Sequence, residues 1–195
     1  MKVILPGLSM VILASVFTEP VNAQNSFGGR VDGTLCTSDE TVMFACDLKM
    51  KKVAVCARKA GNEAFASLQY RFGTTNWLDL SFPAANTYPA SIASGASRGD
   101  MSRGSMVFLR MTNRETSYTV YHVTASPSNT GQGALDAGGI LVERNGKLLA
   151  KRVCDSKQRI YSGMLDDPDF FGKAVPVDTK PVATFSQFGH RADSQ

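Results

Sequence analysis

The chain has 195 residues, 43% hydrophobic and 19% charged, with a formal net charge of +4 at pH 7. That length suits one domain with its own core. The positive excess is too slight for the dense basic stripe of a nucleic-acid binder, so no nucleic-acid partner is expected.

The first residues set the compartment. Lys2 gives a positive start, and residues 3–17 are mostly apolar (Ile4, Leu5, Leu8, Val11, Ile12, Leu13). Pro20 then breaks the run, and Val21-Asn22-Ala23 offers small or apolar side chains to a peptidase. This is the plan of a secretory signal peptide over residues 1–23, cleaved before Gln24. The apolar run is marginal for crossing roughly 30 Å of hydrocarbon, and no later stretch is long enough. No cysteine stands at the cleavage point, since Cys36 is the first. A periplasmic or secreted bacterial protein is expected, with neither a lipid anchor nor stable membrane insertion. The mature part reads as a single β-rich domain over residues 24–172, followed by an extended, partly disordered tail over 173–195.

Short alternating segments between turns favour strands. Residues 40–49 and 52–57 form a hairpin around a lysine-rich turn. Residues 67–72 and 77–82 form a second around Gly73-Thr74-Thr75-Asn76, and 105–111 with 116–124 a third. Residues 140–144 and 147–153 form a fourth, joined by Asn145-Gly146, which suits a type I′ turn because both positions need positive φ. The expected fold is mainly β: an antiparallel sandwich or barrel of about eight strands, stabilised by disulfides. Residues 83–104 and 126–139 read as long loops, a class often tied to function.

Cys36, Cys46, Cys56 and Cys154 make an even count, which in an oxidising compartment means two disulfides. Their spacing lacks the close pairs of a zinc site, so no metal is expected. Three pairings are open. Val42, Phe44, Cys46 and Leu48 alternate on one face, with Val53 and Val55 opposite, which turns Cys56 the other way. Pairing Cys46 with Cys56 then needs another register or a bulge. At least one bridge from the N-terminal hairpin to Cys154 is favoured.

Few motifs carry chemistry. Gly95-Ala96-Ser97-Arg98-Gly99 matches the pattern of a nucleophile elbow, but its flanks offer neither the apolar strand nor the helix that the elbow needs. His122 falls in a predicted strand and His190 in the tail. Asp136 and His190 complete the chain order of a triad, but order is not geometry. Asp166-Asp167-Pro168-Asp169 lacks the spacing of a calcium loop. Gly131-Gln132-Gly133 lacks the βαβ context of a dinucleotide loop, so no cofactor is expected. Tyr70, Phe72, Trp77 and Phe82 form the richest aromatic cluster. Alternate aromatics in strands mostly build the core, and only Trp77, beside the turn, is placed to serve as an exposed contact anchor.

The order Phe44-Ala45-Cys46, Lys51-Lys52-Val53-Ala54-Val55-Cys56-Ala57 and Leu68-Gln69-Tyr70-Arg71-Phe72-Gly73 resembles a family of small exported bacterial proteins usually described as hypothetical. The resemblance is sharpest over residues 36–83. It implies export, β structure and a disulfide framework, and it carries no catalytic residues. Ser94-Gly95-Ala96-Ser97, ahead of a strand, also resembles the Ser-Gly-x-Tyr loop that periplasmic lysozyme inhibitors insert into the enzyme cleft, with Ser97 standing where that loop has tyrosine. Ser94, Gly95, Ser97 and Arg98 are therefore the candidate binding loop.

Export, small size, a disulfide frame and long loops point to a non-enzymatic domain whose partner is another protein. An inhibitor of a cell-wall-degrading enzyme or an immunity protein against a toxin would suit. The alternatives are a small serine hydrolase using Ser97 and a structural envelope protein.

Overall fold

A computed structural model of the chain describes residues 33–60, 64–83, 87–100, 104–126, 134–155 and 170–180. The leader, His190 and the Asp166–Asp169 and Gly131–Gly133 motifs lie outside the described residues.

Two antiparallel sheets face each other. The first contains β1 (Thr41–Leu48), β2 (Lys51–Ala60), β3 (Ala64–Gly73) and β4 (Leu78–Phe82), in that order. The second contains β5 (Ala93–Asp100), β6 (Gly104–Asn113), β7 (Thr116–Ala125), β8 (Leu135–Arg144) and β9 (Lys147–Val153), again in chain order. Each strand pairs with its sequence neighbour, and neither sheet closes on itself, so the fold is a sandwich and not a barrel. Alternation explains the core. Phe44, Cys46, Val53, Val55, Leu68 and Tyr70 point inward from the first sheet, to meet Val107, Leu109, Met111, Val120 and Ile140 from the second. Each such large side chain contributes about 1.5–3 kcal/mol through burial. Tyr118 crosses from β7 to stack on Tyr70 and Phe82, with ring centroids 5.1 and 5.0 Å away.

Both disulfides form, and the register explains their pairing. Cys46 pairs in register with Val53 on the inner face. It reaches across the sandwich to Cys154, just past β9, as the expected bridge from the hairpin to Cys154 requires. Cys56 faces the other way and joins Cys36, so the chain ahead of β1 is stapled to the outer face of the first sheet. There Leu35 and Cys36 cover Val42, Ala45, Ala54 and Cys56. Among the described residues no helix is long and apolar enough to cross a membrane. Two disulfides are what an oxidising compartment allows.

Three sequence expectations change. Residues 83–104 are not one loop, because β5 lies within them. Ala-Ser-Gly-Ala-Ser-Arg-Gly-Asp shows no apolar alternation, and smallness is what this strand needs. A Cβ at Gly95 would stand 2.4 Å from the Phe108 carbonyl oxygen and 2.5 Å from the Phe171 ring. Likewise β8 begins at Leu135, within the expected loop 126–139, where Ala137, Gly138 and Gly139 hide its pattern. Finally, the segment after Gly172 is extended but held: Ala174, Val175 and Asp178 are buried, so the core continues beyond the expected boundary.

Candidate functional site

The candidate loop Ser94, Gly95, Ser97 and Arg98 is not a loop but part of β5, and most of it holds the C-terminal segment. Gly95 N–H donates to Pro176 O at 3.0 Å, and Asp178 N–H donates to Gly95 O at 2.8 Å. This parallel pairing of Gly95 with Val177 covers the outer edge of β5. Ser94 Oγ donates to Asp178 Oδ2 at 2.9 Å, and Arg98 donates to Asp178 O at 2.8 Å. Arg110, buried on β6, completes an ion pair with the same carboxylate. Structural attachment accounts for these side chains.

Ser97 is exposed on the strand and pairs with Val107, which in turn pairs with His122. Two strand spacings put the Ser97 and His122 backbones roughly 10 Å apart, with Val107 between them. No turn and no helix lift the serine, so the nucleophile elbow is absent. His122 does have a partner that sequence reading missed: its Nε2 lies 2.7 Å from Asp136 Oδ1, across β7 and β8. The two residues are two positions off direct opposition and so share a face, because His122 faces Gly138 and Thr124 faces Asp136. Histidine and carboxylate thus meet with Ser97 two strands away from His122.

The cysteines offer no metal site. Cys36 Sγ, Cys56 Sγ and a Glu40 oxygen lie within 4.8 Å of one another, but both sulfurs are committed to a disulfide. Glu40 is bound by Arg71: Nη1 donates to Oε2 at 2.7 Å and Nη2 to Oε1 at 2.8 Å. Arg71 also donates to Leu35 O and Gln69 Oε1. Burial pushes the Glu40 carboxyl up. The hydrogen bonds from Arg71 and the Thr37 amide, with the Arg71 charge, outweigh that and hold it below the usual carboxylate range. Tyr70 is shifted upward by burial, with the neighbouring Tyr118 adding to it, and stays a neutral core phenol.

One end of the first sheet presents the two most exposed large apolar side chains among the described residues. Leu48 pairs with Lys51 across the β1–β2 turn, and Lys52 pairs with Gly73, where β3 enters the β3–β4 turn. The two turns are therefore neighbours. Met50 projects from the first at 88% exposure and Trp77 from the second at 67%. The Trp77 turn is built tightly. Thr74 N–H donates to Trp77 O at 2.7 Å, and Trp77 N–H donates to Thr74 Oγ1 at 3.1 Å. A Cβ at position 73 would fall 2.2 Å from Trp77 O, so only glycine lets the turn close. Beneath the tip, Lys51 pairs with Asp79 at 2.8 Å and Lys52 with Asp47 at 2.5 Å. Those pairs neutralise Lys51 and Lys52, while Lys49, beside Met50, stays exposed.

Trp77 thus leaves the core in which its neighbours Tyr70 and Phe82 sit, the opposite of the general expectation for strand aromatics. Met50 was not singled out from the sequence. Its signal is position: a two-residue turn has no buried face, so an apolar residue there points outward.

Comparison with protein-family models, curated proteins and solved structures finds no match to this chain.

Proposed function

We propose that this chain is an exported, non-enzymatic protein-binding domain that offers the Met50–Trp77 tip to its partner. The observation that carries this reading is the pair of large apolar side chains held out on adjoining, hydrogen-bonded turns. Exposed aromatic anchors on rigid supports are what binding hot spots are made of, because little entropy is lost when they dock. Two disulfides and a packed sandwich supply the support. The partner class is a cell-wall-degrading enzyme, which the domain inhibits, or a toxin, which it neutralises in the periplasm or outside the cell.

Tagged protein lacking residues 1–23, captured against envelope extract and purified wall hydrolases, tests this directly. A stoichiometric protein that is retained by the native chain and lost with Trp77→Ala supports the reading. A partner held equally by both removes the tip from it, and a turnover activity that survives purification would argue for an enzyme instead. Trp77 is the chain's single tryptophan, so its fluorescence reports docking without a label.

A further inference from the structure

A second surface lies on the β8–β9 hairpin. Residues 143–152 read Glu-Arg-Asn-Gly-Lys-Leu-Leu-Ala-Lys-Arg, four cations against the single carboxylate Glu143. The net charge of this stretch is +3. Residues 49–59, with five cations and no carboxylate, are also basic, but there Lys51, Lys52 and Arg58 are ion-paired. Arg144 and Lys147 are direct register partners beside the Asn145-Gly146 turn. Like charges set opposite each other on a strand pair are destabilising. Arg144, Lys147 and Arg152 are all exposed, and none of them is in an ion pair among the described residues. Arg144 reaches only Thr116 Oγ1, at 3.4 Å, and Arg152 the Lys151 carbonyl, at 3.1 Å.

Two leucines lie among these cations. A register shift between Val142 and Glu143 leaves Leu149 without a cross-strand partner. Leu148 and Leu149 stand 53% and 52% exposed. The turn itself needs Asn145 and Gly146, with φ of 51° and 77°, but no flanking cations. Cations alone would suit any soluble anion. Cations bordering a projecting apolar pair suit a surface that is anionic outside and hydrocarbon beneath.

We propose that the β8–β9 hairpin docks the protein on anionic phospholipid, with Arg144, Lys147 and Arg152 against the headgroup phosphates and Leu148 and Leu149 entering the interface. The proposal uses none of the side chains of the Met50–Trp77 tip and stands or falls without it. The test is sedimentation of the disulfide-bonded protein with vesicles of phosphatidylcholine alone, or of phosphatidylcholine mixed equally with phosphatidylglycerol, at low and high salt. Binding is expected only with phosphatidylglycerol and should weaken with salt. Replacing Arg144, Lys147 and Arg152 by Gln should reduce it on the order of 100-fold, at about tenfold or less per cation. Leu148→Ser with Leu149→Ser should reduce it roughly 10-fold, whereas Trp77→Ala should bind as the native chain does. Circular dichroism confirms that each variant is folded. No sedimentation of the native protein, equal sedimentation with both vesicles, or full binding by the Gln variant overturns the proposal. So would competition by an acidic soluble protein that the Gln variant no longer binds while its lipid binding is unchanged.

Discussion

Arg71 and Glu40 meet in a two-point ion pair on the outer face of the first sheet, with their side chains only 10% and 4% exposed. The pair joins β3 to the segment ahead of β1. Gln69 extends the network: its Oε1 accepts from Arg71 and its Nε2 donates to Pro83 O at 2.9 Å. One arginine thus ties the N-terminal cover, the sheet and the exit from β4 together.

Arg71→Ala would leave the Glu40 carboxylate buried without its main partner. Breaking one side of a buried pair typically costs about 3–5 kcal/mol. For a chain of this size that is a fall of roughly 10 °C in the melting midpoint, read by circular dichroism. Glu40→Gln should cost less, because the amide keeps one acceptor for the guanidinium.

The same pair sets an acid limit. Glu40's carboxyl is lowered from its ordinary value of 4.5, so the native state binds this proton less readily than the unfolded chain. Its stabilisation is therefore complete above that ordinary value and is lost as pH falls through the lowered one. Urea midpoints measured from neutral pH down through the acid range should drop for the native chain. In Glu40→Gln that component of the drop should be missing.

The two bridges differ in what they restrain. Cys46–Cys154 joins residues 108 apart in sequence, and Cys36–Cys56 joins residues 20 apart. Restricting the unfolded chain is worth about 4.7 kcal/mol for the long loop and about 3 kcal/mol for the short one. Replacing both cysteines of the long bridge by Ala should lower the midpoint more than the same change at the short one. Equal losses would show that burial of the sulfur atoms, and not chain restriction, dominates.

Four hairpins and one cross-sandwich bridge were legible because they rest on local chemistry: alternation, the Asn145-Gly146 turn and the facing of Cys46 against Cys56. β5 was not, because its residues are chosen to be small under Phe108 and Phe171, and smallness reads as a loop. The His122–Asp136 contact was hidden for a related reason. It depends on β7 and β8 lying side by side, which becomes visible only once the glycine-rich stretch ahead of Ile140 is known to be strand. Trp77 was half legible: its place beside a turn allowed exposure, but only the closing hydrogen bonds of that turn decide it.

Asp178 is the pin of the C-terminal segment. It takes Arg110 and Ser94 on one side and the Lys180 amide, at 2.8 Å, on the other. Asp178→Ala would strand the buried Arg110 charge, at about 3–5 kcal/mol. Because the segment contributes its own pairing to β5, the loss should also be local. Amide exchange at Gly95 and at residue 178 should accelerate well beyond that of the β6–β7 amides. Uniform acceleration would mean the segment unfolds only with the whole domain.

Trp77→Ala and Gly73→Ala separate contact from scaffold at the tip. The Trp77 side chain is exposed and the turn is held through its backbone, so Trp77→Ala should change stability by no more than about 0.5 kcal/mol. Partner binding should nevertheless be lost. Gly73→Ala places a methyl against Trp77 O and 2.8 Å from Leu78 Cα, both backbone atoms that cannot swing aside. Forcing the turn open should cost about 1–3 kcal/mol and displace Trp77 as well. Native binding with a lowered midpoint in Gly73→Ala would mean that the tryptophan docks without its rigid turn. Weakened binding in both variants, with a lowered midpoint in Gly73→Ala alone, is the result expected if the turn exists to aim that side chain.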